Sequence, residues 1–307
     1  YKEQNTKLWH IRYKLENGEG GIVVATTRPE TMFGDTAIAV NPKDKRYQNL
    51  IGKNVILPIV NRPIPIVADE YCEMDFGTGA VKITPAHDPN DYDLSLRHNL
   101  PMITVIDDDG KLTAEAGKFV GMDRIEARKP IEDELKKLGV LVKVENYKNK
   151  VGCCCRCGTM TEPRVSEQWW VKMKDLATPA IEAVKTGALK FVPKRYEKQY
   201  LNWLCNIQDW CISRQLWLGH RIPVFTCQDC GFVDASETDL TVCPKCGSKH
   251  MVQDPDVLDT WFSSALWPFS TLGWPEKTPD LDYFYPTDVL ITAYDIITFW
   301  VVRMVFS

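Results

Sequence analysis

Residues 80–92 read Ala-Val-Lys-Ile-Thr-Pro-Ala-His-Asp-Pro-Asn-Asp-Tyr. The stretch opens with a short β-branched run and then turns at a proline into a cluster of polar side chains, which is typical of a strand followed by a functional loop. Other short runs of this kind, separated by Pro, Gly and Asp turns, lie at 21–26, 36–40, 54–57 and 102–106. Many short strands with polar punctuation favour a closed or partly closed β-barrel over residues 1 to about 107.

The length and composition fit a folded protein of roughly two domains. The chain has 307 residues, 44% of them apolar and 25% charged, and its net charge is −4. This charge excludes a uniformly basic coat of the kind that covers nucleic-acid-binding proteins, although a local basic face remains compatible with it.

Helical patterns appear in two places. Residues 123–139 carry apolar side chains at helical spacing and end in Gly139, and Pro130 predicts that the helix either starts or kinks there. Residues 289–306 are apolar but contain Asp295 and Arg303, which a membrane span tolerates poorly. We expect a buried helix of an α/β core, in which Asp295 needs a partner for its carboxylate.

The ends of the chain give two further expectations. The first residues contain no initiator Met and no charged-then-apolar leader, so a secretory signal is not predicted. The last residues contain no helix-stop signal. We therefore interpret the sequence as an excerpt from a longer protein.

Four of the eleven cysteines predict a structural zinc site. Two Cys-x-x-Cys-Gly units, Cys227/Cys230 and Cys243/Cys246, are separated by 12 residues and supply a closed tetrahedral set of thiolates. Cys154 and Cys157 have the same spacing but no second pair. They are either free of metal, bound to ligands outside the excerpt, or a reactive dithiol. Clustered cysteines of this kind are typical of a reducing compartment.

Polar residues are also concentrated in residues 26–35 and 76–92. Strand alternation places Lys82 and Thr84 on one face, and the prolines bring His87, Asp88 and Asp91 to its end. A cation, hydroxyls, carboxylates and an imidazole could bind an α-ammonium group and position a water. A proline-rich surface turn with solvated charges explains the pattern equally well.

The same segments carry a family resemblance. Residues 26–31 (Thr-Thr-Arg-Pro-Glu-Thr) and 86–92 resemble the editing domain of class I aminoacyl-tRNA synthetases of the valine, isoleucine and leucine group. The resemblance continues, in the family's order, at 166–170, 209–217, 256–264 and 294–300, and so covers essentially the whole chain. Within the group the sequence is similar to the valyl members, because Arg-Pro-Glu-Thr replaces the isoleucyl Thr-Pro-Trp-Thr.

The resemblance implies a mixed α/β fold, with a β-barrel editing domain and a partial Rossmann-type catalytic domain that carries a zinc-ribbon insertion. The implied divisions are an editing domain (1–145), a zinc knuckle and linker return (146–200), a catalytic segment (201–225), a four-cysteine zinc ribbon (226–252) and a truncated second part of the catalytic domain (253–307).

The resemblance also implies two sets of site residues. The editing pocket is expected to be lined by Thr26, Arg28, Thr31, Phe76, Lys82, Thr84, Asp88 and Asp91. Asp91 would bind the substrate ammonium, while Asp88, Lys82 and Arg28 would recognise the hydroxyl of a threonine side chain. His87 would act as a general base or brace its turn, and bracing is favoured.

A valine pocket is expected at Trp261, Asp295, Ile296 and Trp300, with Asp295 pairing the ammonium. Core packing is a fair alternative for Ile296. The same resemblance implies that Cys154 and Cys157 join an upstream pair in a second zinc site.

The implied partners are tRNA(Val), valine, threonine and, for the longer protein, ATP with Mg²⁺. The ATP-binding His-Ile-Gly-His and Lys-Met-Ser-Lys-Ser signatures are absent, so we expect no valine activation by the excerpt alone. We expect a cytoplasmic monomer without membrane association.

The competing hypothesis is a non-catalytic zinc-ribbon module that binds RNA through basic side chains. The candidates are Lys136, Lys137, Lys143, Lys148, Lys150, Lys190, Lys194, Arg195 and Lys198. Hydrolysis of aminoacyl-tRNA would separate the two hypotheses.

Overall fold

The computed structural model describes residues 1–307 and divides into two compact units. The N-terminal unit comprises Tyr1–Ser166, and the C-terminal unit comprises Glu167–Ser307. The finer division into five segments stays a prediction, and one strand of the N-terminal unit, Leu141–Val151, runs across the expected boundary at residue 145.

The N-terminal unit contains seven strands and two α-helices. The strands are β1 (Lys2–Leu15), β2 (Gly21–Thr26), β3 (Ala37–Val40), β4 (Asn54–Leu57), β5 (Arg62–Ala68), β6 (Ala80–Ile83) and β7 (Leu141–Val151). The helices are α1 (Pro89–His98) and α2 (Arg128–Lys137), and 3₁₀ turns cover Pro29–Gly34, Gln48–Leu50 and Ala114–Phe119.

These strands form one nearly closed, barrel-like sheet. Their order is β2-β1-β4-β5-β3-β6. Outside this order, β7 pairs with residues 2–11 of β1. All neighbours are antiparallel except β3 and β5. The end strands β2 and β6 pack beside each other without a ladder of hydrogen bonds. The barrel therefore has one open seam, between β2 and β6.

Alternation along the strands fills the barrel. In β2, Ile22 and Val24 are buried while their neighbours are half-exposed, because successive side chains point to opposite faces. Ile11 and Tyr13 of β1, Ile38 of β3 and many others join them in a single core. Residues of both seam strands, Ile22 and Val24 of β2 and Ala80 of β6, belong to this core.

Four of the five predicted strands are present, and the fifth is wrong. Residues 102–106 form only an isolated bridge between Ile106 and Leu112, although Val105 and Ile106 are fully buried in the core. Burial without a strand ladder explains why an apolar run was mistaken for a strand.

Three strands were not predicted, because their composition is atypical. β1 and β7 are rich in charged residues, and β5 contains Pro63 and Pro65. Residues 62–65 of β5 pair only with β4, and residues 66–68 pair with β3. Each proline therefore has a free edge for its missing N–H, which is the position in which sheets tolerate proline.

The predicted helix within residues 123–139 is confirmed as α2. Pro130 lies in its first turn, where its missing N–H breaks no helical hydrogen bond. Ile131 and Leu135 are buried, and Gly139 takes a positive φ of 66° just after the helix.

The C-terminal unit consists of short elements. Its strands are β8 (Trp170–Val171), β9 (Trp210–Cys211), β10 (Ser213–Arg214), β11 (Val224–Cys227), β12 (Val233–Ala235), β13 (Met251–Gln253) and β14 (Val257–Leu258). Its helices are α3 (Met173–Lys185), α4 (Tyr196–Cys205), α5 (Thr260–Ala265), α6 (Trp267–Ser270), α7 (Pro279–Phe284) and α8 (Val302–Phe306).

The strands of this unit form the pairs β8–β9 and β10–β14 and the three-stranded sheet β12-β11-β13, all antiparallel. A Rossmann-type core requires a parallel sheet, so that part of the expected fold is not confirmed within residues 167–307. The apolar core lies between α3, α4 and the C-terminal helical segment, with Tyr200 and Val302 fully buried.

The expectation of one buried helix over residues 289–306 is only partly met. Ile297, Val301 and Val302 are buried, within a π-helical turn (Ile297–Val301) that leads into α8. Val289 and Ile291 are exposed and irregular. No helix in the chain has the length and apolar character that crossing a membrane requires.

Candidate functional site

A cavity of about 410 Å³ opens at the seam of the barrel. Residues of β2 and β6 form two of its walls, and the start of α1 and strand β7 form others. His87 lines it, and so do all eight residues predicted to line the editing pocket: Thr26, Arg28, Thr31, Phe76, Lys82, Thr84, Asp88 and Asp91.

The floor of the cavity is a closed hydrogen-bond cluster around Asp35 and Lys82. The Lys82 ammonium donates to Thr31 Oγ1 and to Asp35 Oδ1, each at 2.9 Å, and to Thr84 Oγ1. Asp35 is fully buried and also accepts from Tyr13 Oη at 2.7 Å. Burial raises the pKa of Asp35, although the adjacent Lys82 charge opposes the shift.

Lys82 therefore has no spare donor. An ammonium group has three N–H bonds, and all three are used within the floor. The expected direct contact between Lys82 and a ligand hydroxyl would require one of these bonds to break. In this arrangement Lys82 instead fixes the orientation of the Thr31 and Thr84 hydroxyls.

The acidic end of the cavity lies at the first turn of α1. Asp88 caps this helix by accepting from Asn90 N at 2.8 Å, and Asp91 Oδ2 accepts from Thr84 N at 2.8 Å. The other oxygen of each carboxylate has no hydrogen-bond partner in the chain. Burial raises the pKa of Asp91 to about 7. A cationic group in the cavity would stabilise its ionised form.

His87 is braced by the backbone. Its Nε2 accepts from Val105 N at 2.8 Å, so the lone pair that a general base needs is already occupied. The side chain is 1% exposed, and burial, with the nearby Arg28 charge, lowers the pKa of His87 to about 4. The contacts favour the bracing role over the catalytic one.

Arg28 lies at the centre of a row of alternating charges. Its Nη1 donates to His87 O at 3.0 Å, its Nη2 bonds Glu162, and its Nε is 3.7 Å from Glu30 Oε1. Glu30 accepts two bonds from Arg128, and Glu162 lies 3.1 Å from Arg124 Nε. We call Arg28, Glu30, Arg124, Arg128 and Glu162 the charge ladder. Arg28 is its only member that lines the cavity.

Several residues that line the cavity or support it were not predicted. Leu8, Tyr147 and Asn149 come from β1 and β7, the two strands that the sequence pattern did not reveal. Asp35 ends the quoted polar stretch 26–35 and could have been found as a buried counter-ion for Lys82. Glu162 carried no recognisable pattern.

The four cysteines of the predicted zinc ribbon meet at the end of the β12-β11-β13 sheet. Their sulfurs lie within 4.8 Å of one another, with Cys227–Cys246 and Cys230–Cys243 separations of 3.7 Å. Tetrahedral Zn²⁺ with Zn–S bonds of about 2.3 Å requires sulfurs about 3.8 Å apart. A disulfide would bring them to about 2.05 Å. The geometry fits a metal centre.

Cys154 and Cys157 form a similar knuckle without further ligands. Gly158 N bonds Cys154 O, as Gly247 N bonds Cys243 O in the ribbon. No third cysteine, histidine or carboxylate joins this pair, since the only group of three or more such ligands is the ribbon. A hydrogen bond with Thr159 lowers the pKa of Cys157 to about 7.

The predicted valine-pocket residues do not form a buried site. Trp261 stacks on Phe299 with ring centres 6.3 Å apart, and Trp300 Nε1 donates to Ser264 O at 2.9 Å. Ile296 is half-buried, but Asp295 is exposed in a 3₁₀ turn. The expectation of a buried Asp295 carboxylate is therefore wrong, because the segment before Ile297 lies on the surface.

Comparisons with known proteins assign both the N-terminal and the C-terminal unit to one family. Residues 26–307 match the family described as tRNA synthetases class I (I, L, M and V). The chain is 64% identical over 304 residues to the valine--tRNA ligase of Carboxydothermus hydrogenoformans, covering 99% of this chain and 35% of that protein. It is 61% identical over 307 residues to that of Clostridium tetani, covering 100% and 35%, and 59% identical over 305 residues to that of Thermotoga maritima, covering 99% and 35%.

A solved structure, the ternary complex of Agrobacterium radiobacter K84 agnB2 LeuRS-tRNA-LeuAMS, is 18% identical, with a TM-score of 0.37. The match covers 98% of this chain and 37% of that one. The chain spans about a third of the length of the curated relatives that it matches. It belongs to the class I tRNA synthetases, and within them its sequence is of the valine--tRNA ligase kind.

Proposed function

We propose that the cavity of the N-terminal unit hydrolyses threonyl-tRNA(Val), and that the longer protein joins valine to tRNA(Val). The observation that carries the first part is the shared cavity: both polar segments, 26–35 and 76–92, line one hollow in a nearly closed barrel. The second part follows from the similarity to valine--tRNA ligases. ATP, Mg²⁺ and a Rossmann-type catalytic core belong to this longer protein.

A second site is needed because threonine and valine are nearly isosteric. An apolar pocket rejects the added hydroxyl only ~10²-fold, a figure that describes valine-specific synthetases as a class and is not a prediction from this chain. A polar cavity reverses the preference, because a valine side chain would leave buried polar groups without hydrogen bonds.

The proposed roles follow from which groups are free. Asp91 offers one carboxylate oxygen to the α-ammonium of the amino acid, and burial makes that pairing strong. The free oxygen of Asp88 accepts from the threonine hydroxyl, and Arg28 also lines the cavity. Lys82 acts indirectly, by holding Thr31 and Thr84.

In the reaction, the oxygen of water bonds to the ester carbonyl carbon and the bond to the terminal ribose oxygen breaks. The ribose oxygen takes a proton, which leaves free threonine and uncharged tRNA. His87 keeps the Pro85–Pro89 turn in place, since Val105 N occupies its Nε2.

The metal centre is proposed to hold a structural zinc at Cys227, Cys230, Cys243 and Cys246. When bound, the metal supplies a cross-link between the two knuckles of the ribbon. Cys154 and Cys157 are proposed to bind zinc only together with ligands from the longer protein.

The alternative, a non-catalytic RNA-binding module, gains no specific support. Lys136 and Lys143, two of its candidate contacts, already pair with Glu132 and Glu145 at 2.6 and 3.0 Å.

The test is deacylation of threonyl-tRNA(Val) and valyl-tRNA(Val) by the chain. We expect faster hydrolysis of the threonyl ester, and a loss of about 100-fold in kcat/KM for Asp91→Asn, since truncating one partner of a buried charge pair costs about 2–5 kcal/mol. Asp93→Asn is the matched control, because Asp93 lies on the same helix but is exposed. Equal rates for Asp91→Asn and the unaltered chain would overturn the assignment.

A further inference from the structure

We infer that Glu162 is a positioning residue, which holds the Arg28 guanidinium against the cavity. The inference rests on the proposed hydrolytic function and extends it to a residue outside both polar segments. Glu162 follows the cysteine knuckle in sequence and lies 134 residues from Arg28.

The contacts of Arg28 leave Glu162 as its main partner. Nη2 bonds Glu162 Oε1 directly, whereas the Nε–Glu30 separation of 3.7 Å is too long for a hydrogen bond. Glu30 is already engaged by Arg128 through two bonds of 2.9 and 2.7 Å. The third contact, from Nη1 to His87 O, is to a neutral carbonyl.

Burial makes the Glu162 contact strong. The Glu162 side chain is 12% exposed and the Arg28 side chain is 27% exposed, so water competes poorly for either group. The second oxygen of Glu162 pairs with Arg124, which keeps this carboxylate from turning toward the cavity. Glu162 therefore holds Arg28 from outside the cavity, and Arg28 faces the ligand.

Without Glu162, Arg28 would find its free carboxylate partners only inside the cavity. Asp88 and Asp91 line the same hollow, and the proposed function needs the free oxygen of each for the substrate. A released guanidinium would compete with the substrate ammonium for these acids. Glu162 thus keeps the cation and the acids of the cavity apart.

The first experiment is a double-mutant cycle on threonyl-tRNA hydrolysis. Glu162→Gln keeps the side-chain shape but removes the charge, and we expect kcat/KM to fall at least 10-fold. In Arg28→Ala the same substitution should have almost no further effect, because the partner that it positions is gone. A merely structural role would add the two losses.

Glu115→Gln is the control, since Glu115 also pairs with an arginine, Arg62, but is half-exposed and outside the cavity. It should leave hydrolysis unchanged. If Glu162→Gln fails to fold, Glu162→Asp serves instead. The aspartate side chain keeps the charge but is one methylene shorter, so its carboxylate should no longer reach Arg28, and the same 10-fold loss is expected.

The second experiment is a crystal structure of the Glu162→Gln variant. We expect the Arg28 guanidinium to leave its position beside residue 162. An unmoved guanidinium, or additive losses in the cycle, would overturn the inference. If the unaltered chain does not hydrolyse threonyl-tRNA, the proposed function fails, and the position of Arg28 in the crystal still decides whether Glu162 positions it.

Discussion

The barrel cavity and the predicted valine pocket differ in how complete they are within this chain. In the cavity, Asp35 is fully buried and paired with Lys82, whose side chain is 10% exposed, and the eight expected residues line one hollow with His87. In the C-terminal unit, Asp295 is exposed, and Trp261 stacks on Phe299. The nearly closed sheet supplies hydrogen-bond partners for the polar groups of the cavity, whereas Asp295, on a short helical turn, is left to solvent.

The two cysteine groups repeat this contrast. Cys227 and its three partners complete a tetrahedral set, and Cys154 with Cys157 forms only half of one. The knuckle backbone is similar in both. Local geometry is thus set by a few adjacent residues, and metal binding depends on whether a second knuckle is present.

The largest expected effect concerns the metal. We expect one zinc per chain, retained in Cys154→Ser and lost in Cys246→Ser, because structural zinc sites have apparent binding free energies of about 10–16 kcal/mol at neutral pH. Metal analysis by mass spectrometry measures the ratio, and amide exchange over residues 226–252 reports the accompanying unfolding. Two zinc ions per chain would remove the contrast between the two cysteine groups.

Next in size is the loss of the buried counter-ion. Asp35→Ala leaves the Lys82 ammonium, on a side chain that is only 10% exposed, without its charge partner, so unfolding of residues 1–166 should become easier by about 3–5 kcal/mol. Asp295→Ala should stay within about 0.5 kcal/mol, because its side chain is in water. Urea unfolding followed by amide exchange measures both. Similar losses of unfolding free energy in the two variants would contradict the view that Asp35 is a buried ion-pair partner and Asp295 is not.

A smaller effect is expected from pH. With its pKa near 7, Asp91 is ionised about tenfold more at pH 8 than at pH 6. The hydrolysis rate of the unaltered chain, divided by that of Asp91→Asn, should rise through pH 7, since the ammonium pairs with the carboxylate. The division removes the general acceleration of ester hydrolysis by hydroxide.

The same pKa has the opposite consequence for stability. Because burial raises the pKa of Asp91 above its unfolded value, ionising it opposes folding, and the free energy of unfolding should fall as pH rises from about 4 to 7. Asp91→Asn should remove this part of the pH dependence. A variant whose stability follows pH as the unaltered chain does would argue against a buried Asp91.

The smallest expected effect is at the aromatic pair Trp261 and Phe299, of which Phe299 is exposed and Trp261 is half-buried. Trp261→Ala should cost about 1 kcal/mol of stability, the value of an aromatic contact, because Trp261 and Phe299 are not core residues. Chemical denaturation of the C-terminal unit measures it. A cost of about 3–5 kcal/mol, typical of core truncation, would mean that this set is a packed core.

The sequence predicted the cavity better than the sheet around it. The β-branched runs of β2, β3, β4 and β6 were recognisable, as was the polar stretch 80–92 that contains the last of them. β1 and β7 were not, because both strands are rich in charged residues and pair with each other in a long antiparallel ladder that joins distant parts of the sequence. Contacts across 134 residues, such as Arg28 with Glu162, leave no local pattern.

The exposure of Asp295 shows the converse limit. An acid in an apolar stretch suggested burial, but the stretch becomes helical only from Tyr294 and is buried only from Ile297. Hydropathy reports what a segment is made of. It does not report what other parts of a longer chain would cover it.

The Asp35 cluster has a consequence for how such a site can change over time. Tyr13 lies on β1, Thr31 and Asp35 lie in the segment 26–35, and Lys82 lies on β6, so their bonds tie three parts of the barrel together and form the cavity floor. A replacement there alters stability and selectivity together. Phe76 lies at the rim of the cavity and is 67% exposed. We therefore expect substitutions that change substrate preference to be tolerated first at the rim, while substitutions in the floor should be as restricted as those in an apolar core.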